Sequence, residues 1–217
     1  MDGVLVTGFE TASTVYAKAT ESLLLAFGEE HPLEWSSALE NPDSATEFRE
    51  ACKHWNLPPR AAWGYRERTA SYLEERRIDN RKRDAFADTD VLSSLGDAYA
   101  LGIASNNRHD TVAYCTVEFG WREHISVTRG RFPVLEEYDR MKPHPRFLAW
   151  TLDQLAAERA LFVGDRSSDV TTANRVGCKS ALLVRDGTVP DENANPTWTI
   201  ETLEELLELA EAGWPQD

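Results

Sequence analysis

The sequence predicts an α/β fold: a parallel sheet covered by helices on both faces, with an all-helical block inserted near the N-terminus. Two observations carry this. After Asp90, short apolar runs alternate with helical segments, the pattern of βαβ units with right-handed crossovers. Before it, residues 11 to about 87 show helical periodicity and no strand signal.

In chain order, Met1-Asp2-Gly3-Val4-Leu5-Val6-Thr7-Gly8 carries a turn signal at Asp2-Gly3 that no strand precedes. From about Thr11 to Phe27, Ala12, Val15, Ala19, Leu23 and Ala26 recur at helical spacing, and Gly28 is the expected stop. Ser44-x-x-Glu47 reads as a capping box opening a second helix, with Phe48, Ala51, Cys52 and Trp55 on one face. A third starts at Pro58-Pro59 and runs towards Arg77. Strands are then expected at Tyr99–Ser105, Ile125–Thr128, Ala160–Val163 and Ala181–Val184. Helices near 111–119, 144–157 and 169–176 separate them, and another comes at 202–212. The sequence shows no internal repeat and no low-complexity linker.

Composition narrows the function classes. The 217 residues suffice for a substantial core, and 37 acidic against 23 basic residues give a net charge of −14, which argues against nucleic acid as a partner. Arginine outnumbers lysine 18 to 5. An acidic, lysine-poor surface suits concentrated salt, where screening removes self-repulsion, so a salt-accumulating cytoplasm is the expected setting. Cys52, Cys115 and Cys178 are widely spaced and form no CxxC pair; they read as buried free thiols in a reducing compartment. No apolar run approaches the length of a membrane span, and the N-terminus has no secretory pattern, so the expectation is a soluble cytoplasmic protein.

Four polar signals lie at or beside the carboxyl ends of expected strands, where ligands bind in open α/β sheets. In Val163-Gly164-Asp165-Arg166-Ser167-Ser168-Asp169, two carboxylates four residues apart at a strand–helix junction can converge on a hard cation such as Mg²⁺ or simply cap the helix. Met141-Lys142-Pro143-His144-Pro145 puts a lysine before a helix N-terminus, against the macrodipole; it either faces an anion or is a solvated surface lysine. Ile103-Ala104-Ser105-Asn106-Asn107 ends its strand in a hydroxyl that could grip a phosphate oxygen, though Ser and Asn are also ordinary loop residues. Asp2-Gly3-Val4-Leu5, taken alone, is a turn.

Taken together and in order, Asp2-Gly3-Val4-Leu5, Ser105, Lys142-Pro143 and Gly164-Asp165-x-x-x-Asp169 resemble the four motifs of the haloacid dehalogenase (HAD) superfamily. The helical insert resembles the cap of its phosphatase-type, phosphoglycolate-phosphatase-like members. The resemblance spans essentially the whole chain and implies a Rossmann-like core at 1–10 and 88–217 with a cap at 11–87. It implies that Asp2 is the general acid/base whose backbone carbonyl also faces Mg²⁺. Ser105 becomes the phosphate-binding hydroxyl, with Asn106 supplying a neighbouring N–H. Lys142 neutralises phosphate and nucleophile, and Asp165 and Asp169 form the metal pair. The substrate implied is a small phosphorylated metabolite, hydrolysed through an aspartyl-phosphate, with positioning and charge neutralisation doing most of the catalysis.

One departure matters. In the family the nucleophile precedes the general acid by two residues, which places it just before Met1. The resemblance therefore implies an apolar strand of about five residues ending in Asp ahead of Met1, worth on the order of 10 kcal/mol of burial. Without it the chain is expected to lack its nucleophile and to fold poorly. Competing readings are a phosphomutase, a dehalogenase or a catalytically inactive binding or regulatory protein. Dehalogenases of the superfamily lack an acid at the Asp2 position and need no metal pair. Trp63, Tyr65 and Tyr72 are candidates for specificity but are read as packing residues, and Gly8, Phe9 and the segment around Asp88 as hinges.

Overall fold

The computed structural model describes residues 1–8, 11–28, 37–185 and 194–213. The helical block comprises α1 (Ser13–Ala26), α2 (Ser37–Glu40), α3 (Ala45–His54) and α4 (Pro59–Asp79). Gly28 comes after α1 with φ +100°, a conformation that favours glycine. Ser44 caps α3, its Oγ accepting the Glu47 N–H at 3.1 Å. The reciprocal half of the expected box does not form, because Glu47 accepts the Asp43 N–H instead. Phe48, Cys52, Leu23, Leu24 and Trp63 make this block's apolar cluster, and Leu135, which lies beyond the second strand, completes it. Trp63 is fully buried and Tyr65 meets Phe27 edge-on, but Tyr72 is 59% exposed and is not the packing residue expected.

The remaining elements are α5 (Val91–Ala98), β1 (Leu101–Arg108), α6 (His109–Glu118), β2 (Ile125–Arg131), α7 (Arg146–Gln154), β3 (Leu161–Gly164), α8 (Ser167–Val176), β4 (Lys179–Leu183), β5 (Trp198–Ile200) and α9 (Glu205–Glu211). All strand pairings within the sheets are parallel, with α6 crossing from β1 to β2 and α8 from β3 to β4. The fold is the expected α/β core with a helical cap, yet the sheet is divided: β1-β2 form one piece and β3-β4-β5 another. Among the described residues no backbone ladder joins β1 to β3. Met1, Val4, Leu5 and Val6 instead share one apolar cluster with Ile103 of β1 and Val163 of β3, so side-chain burial unites the two pieces.

Two local features shape the polar end of β1. Ser105 was expected to end its strand, but β1 continues to Arg108 through a bulge: Ala104 pairs with Arg129 and Arg108 with Arg131, so Ser105, Asn106 and Asn107 stand opposite Gly130 alone. A Cβ on Gly130 would lie 2.7 Å from His109 Cα and 2.8 Å from the Asn107 carbonyl, so only glycine permits that approach. Elsewhere, Cys52 and Cys115 are buried free thiols as expected, whereas Cys178 is only half-buried. Among the described residues no helix is long and apolar enough to cross a membrane.

Candidate functional site

The strand–helix junction at β3 shows why a glycine precedes the carboxylate pair. A Cβ on Gly164 would fall 2.2 Å from Asp169 Cβ, so the absence of a side chain lets Asp169 fold back over the strand end. Asp169 then uses its two oxygens differently. Oδ2 accepts the Arg166 N–H at 3.2 Å and caps α8, as the structural alternative required. Oδ1 lies 2.5 Å from Lys142 Nζ, with side-chain exposures of 4% and 11%. Lys142 is therefore not a solvated surface lysine. Its ammonium also approaches the Ala104 carbonyl of β1 at 3.5 Å and stands over the Phe162 ring of β3, bridging the divided sheet.

Asp165 and Asp169 pass a test of fit for a divalent cation. Asp165 Oδ2 is buried without a hydrogen-bond partner, and Asp169 Oδ1, despite its ion pair, has none of hydrogen-bond geometry. Burial raises the Asp165 carboxyl above its ordinary value, and the neighbouring Asp169 charge raises it further. Arg166 Nε reaches Asp165 Oδ2 only at 3.9 Å and Lys142 serves Asp169, so the pair keeps capacity for a further cation. Among the described residues no third His, Cys, Asp or Glu joins them, so further ligands would be backbone oxygen, water or substrate, a set that suits Mg²⁺.

The polar strand end is organised around its asparagines. Asn106 brackets the Lys142 backbone, its Oδ1 accepting the Lys142 N–H at 2.7 Å and its Nδ2 donating to the Lys142 carbonyl at 3.2 Å. Ser105 is 2% exposed, and its Oγ accepts the Asn107 N–H at 3.1 Å. Beside it, the Met1 carbonyl accepts N–H bonds from Val4, Leu5 and Val6 and coils the chain's start into a tight turn; the Asp2 carbonyl takes none of these bonds. The Met1 amino group is buried, and its pKa falls chiefly through burial, then through Lys142, against the opposing charges of Asp2, Asp169 and Asp165. The Met1 nitrogen thus senses the charges of Lys142, Asp2, Asp165 and Asp169, and Lys142 reaches the end of β1 at Ala104 and Asn106, on either side of Ser105.

Asp2 is held differently from the motif-based picture. Its Oδ1 lies 2.6 Å from Arg83 Nη2, and Asn107 Nδ2 reaches both its oxygens at 3.2 and 2.9 Å. Arg83 also binds Glu74 of α4 and the Thr7 carbonyl. Burial works against the Arg83 charge, but Asp2 and Glu74 outweigh it and its pKa rises. Any proton transfer by Asp2 requires this ion pair to part. Sequence reasoning missed both partners. Asn107 stood beside two residues already singled out; Arg83, 81 positions from Asp2, gave no local signal. Of the expected hinges, Phe9 lies outside the described residues, while Asp88 is an anchor, accepting from Arg185 and from the Leu203 N–H.

The family model described as haloacid dehalogenase-like hydrolase matches residues 1–183. No curated protein matches the chain in sequence. Among solved structures, CbbY from Rhodobacter sphaeroides in complex with phosphate superposes with a TM-score of 0.65 at 18% identity, over 95% of this chain and 93% of that one. A predicted phosphoglycolate phosphatase from Haemophilus somnus gives 0.59 at 18% identity, over 97% and 95%. Magnesium-bound YfnB from Bacillus subtilis, described as a HAD hydrolase, gives 0.54 at 15% identity, over 97% and 96%. At these identities the likeness is one of fold.

Proposed function

The chain belongs to the haloacid dehalogenase-like hydrolases, and on that footing we propose that it is a Mg²⁺-dependent phosphatase of a small phosphorylated metabolite. The observation that carries the reading is the largely buried lysine Lys142, paired with Asp169 beside Asp165, whose Oδ2 is buried without a hydrogen bond. That combination holds an anion and a cation side by side, as phosphoryl transfer needs. It also sets the site apart from a dehalogenase, which has no use for a metal pair.

In this reading Asp165 and Asp169 hold the ion, with the Asp2 carbonyl as a further ligand. When bound, Mg²⁺ neutralises charge on a phosphoryl oxygen. Lys142 Nζ takes a second oxygen, and the Ser105 hydroxyl, kept in place by the Asn107 N–H, donates to a third. Asn106 fixes the lysine's backbone through its side chain, and its backbone N–H would be the neighbouring phosphate contact. Asp2, protonated once Arg83 releases it, would give its proton to the leaving oxygen and, as a carboxylate, take one from the attacking water. Residues 11–87 act as the cap and 1–10 with 88–217 as the core, in a soluble cytoplasmic protein.

The test is phosphate release from a panel of phosphate esters, with Mg²⁺ and in EDTA, by the protein and by its Lys142→Ala and Asp165→Asn variants. Turnover should need Mg²⁺ and stop in EDTA, and each variant should lose at least about a hundredfold. EDTA-insensitive turnover, or turnover unchanged in both variants, would overturn the proposal.

A further inference from the structure

Helix α4 buries a charged face: Arg66, Glu67, Ser71 and Glu74 are all almost inaccessible. Arg66 and Glu67 meet two arginines from the carboxyl ends of neighbouring strands, Arg108 on β1 and Arg131 on β2, and each of the three arginines is 2% exposed. Glu67 pairs with Arg66 at 2.5 Å and with Arg131 at 2.7 Å. Tyr16 of α1 faces both Arg66 and Arg108, at 4.7 and 5.2 Å from ring centre to guanidinium. Burial lowers the Arg66 pKa, and the charges of Arg131 and Arg108 lower it further against Glu67 and Tyr16.

Arg108 stands out within this cluster. Its Nη2 reaches Thr11 Oγ1 at 3.1 Å, while Nε and Nη1 are buried without any hydrogen-bond partner, as is Arg66 Nε. Among the described residues no carboxylate pairs with Arg108. Glu75 feels its charge through space, but the Glu75 carboxyl is pushed up, by burial first and by Asp110 next. Among the described residues Glu67 is the carboxylate paired with this cluster, and it reaches Arg66 and Arg131 but not Arg108; unpaired buried charge with unused donors is costly. The planar guanidinium fork matches a carboxylate or phosphate.

The cluster adjoins the site already described. Arg131 Nε contacts the Asn106 carbonyl at 3.4 Å, and Asn106 brackets Lys142. Arg108 comes directly after Asn107, which holds Asp2. We propose that Arg108, backed by Arg66 and Arg131, receives a second oxyanion of the substrate, a carboxylate or a further phosphate carried a few bonds from the scissile one. This rests on the phosphatase reading for its placement along the substrate, but the anion site itself stands on the guanidinium cluster.

Two measurements test it and separate the two ideas. The first is calorimetry at low salt with inorganic phosphate on the Lys142→Ala protein, whose other anion grip is gone. One phosphate per chain should bind, and adding Arg108→Met should weaken it at least about tenfold. Because Arg108→Met removes an unpaired buried charge, its melting temperature should hold or rise; a large fall would assign Arg108 a structural role and overturn the proposal. The second, on the protein with Lys142 intact, compares kcat/KM for esters of similar size with a carboxylate, a phosphate or a neutral tail. An anionic tail should be favoured, its identity naming the oxyanion, and Arg108→Met should cut the anionic-to-neutral ratio at least about tenfold. An unchanged ratio, or no phosphate bound by Lys142→Ala, overturns the proposal. Phosphate bound through Arg108 with no ester hydrolysed supports the anion site and refutes the phosphatase reading instead.

Discussion

Replacing Lys142 with Ala should produce two separable losses. The Nζ–Oδ1 separation of 2.5 Å and side-chain exposures of 11% and 4% make the Lys142–Asp169 pair a largely buried one. Removing one partner of such a pair leaves an uncompensated charge and costs about 3–5 kcal/mol. Lys142 keeps some solvent contact, so the lower end applies. For a chain of this size each kcal/mol moves the melting temperature by about 2–4 °C, so a fall of about 6–12 °C is expected in EDTA. Mg²⁺ should restore much of it, because a cation on Asp165 and Asp169 replaces the missing charge. Turnover should stay at least about a hundredfold down even in Mg²⁺, the scale of one lost preorganised contact to a transition state. The assay is thermal unfolding monitored by circular dichroism, in EDTA and in saturating Mg²⁺, beside phosphate release. A melting temperature unchanged in EDTA would refute the ion-pair argument, and near-normal turnover would refute the role of Lys142.

Neighbouring geometry sets further outcomes. Gly164→Ala places a Cβ where Asp169 now lies, so it should remove the Mg²⁺-induced rise in melting temperature; a full rise would show that Asp169 can move aside. His109 is held below its ordinary value of 6.5, by burial first and then by Arg129, against Asp110 and Glu137, and its Nδ1 accepts the Gly130 N–H. Its folded pKa is the lower one, so as pH falls from about 6.5 the unfolded chain takes up the proton first and stability declines; His109→Gln should flatten that decline in urea titrations. With a net charge of −14, the melting temperature should climb between low salt and molar KCl; a flat or falling trend would remove the salt-adapted reading.

What the sequence conveyed about this fold depended on the range of the interactions involved. Ser44 capping α3 and the parallel strands from β1 to β4 are written locally, in side-chain spacing and apolar runs, and were legible. Gly164 and the two aspartates could be read as a junction, but the split duty of Asp169, one oxygen to a helix cap and one to Lys142, needed the third dimension. Long-range partners were not legible: Arg83 reaches Asp2 from beyond the helical block, and α4 hides its role because its buried face mixes the charged Arg66, Glu67 and Glu74 with Trp63, Ala70 and Ile78. The three-residue strand β5 is too short to show a period. Ser105 was found through its hydroxyl, yet the bulge that presents it depends on Gly130, on a different strand.

The central claim is that Asp165 and Asp169 hold a divalent cation beside the anion grip of Lys142 and Ser105. Calorimetric titration of residues 1–217 with Mg²⁺, without and with inorganic phosphate, tests it without requiring turnover. One Mg²⁺ per chain should bind, more tightly when phosphate is present, and Asp165→Asn should abolish the binding. Absence of Mg²⁺ binding, or binding that survives Asp165→Asn unchanged, would contradict the account.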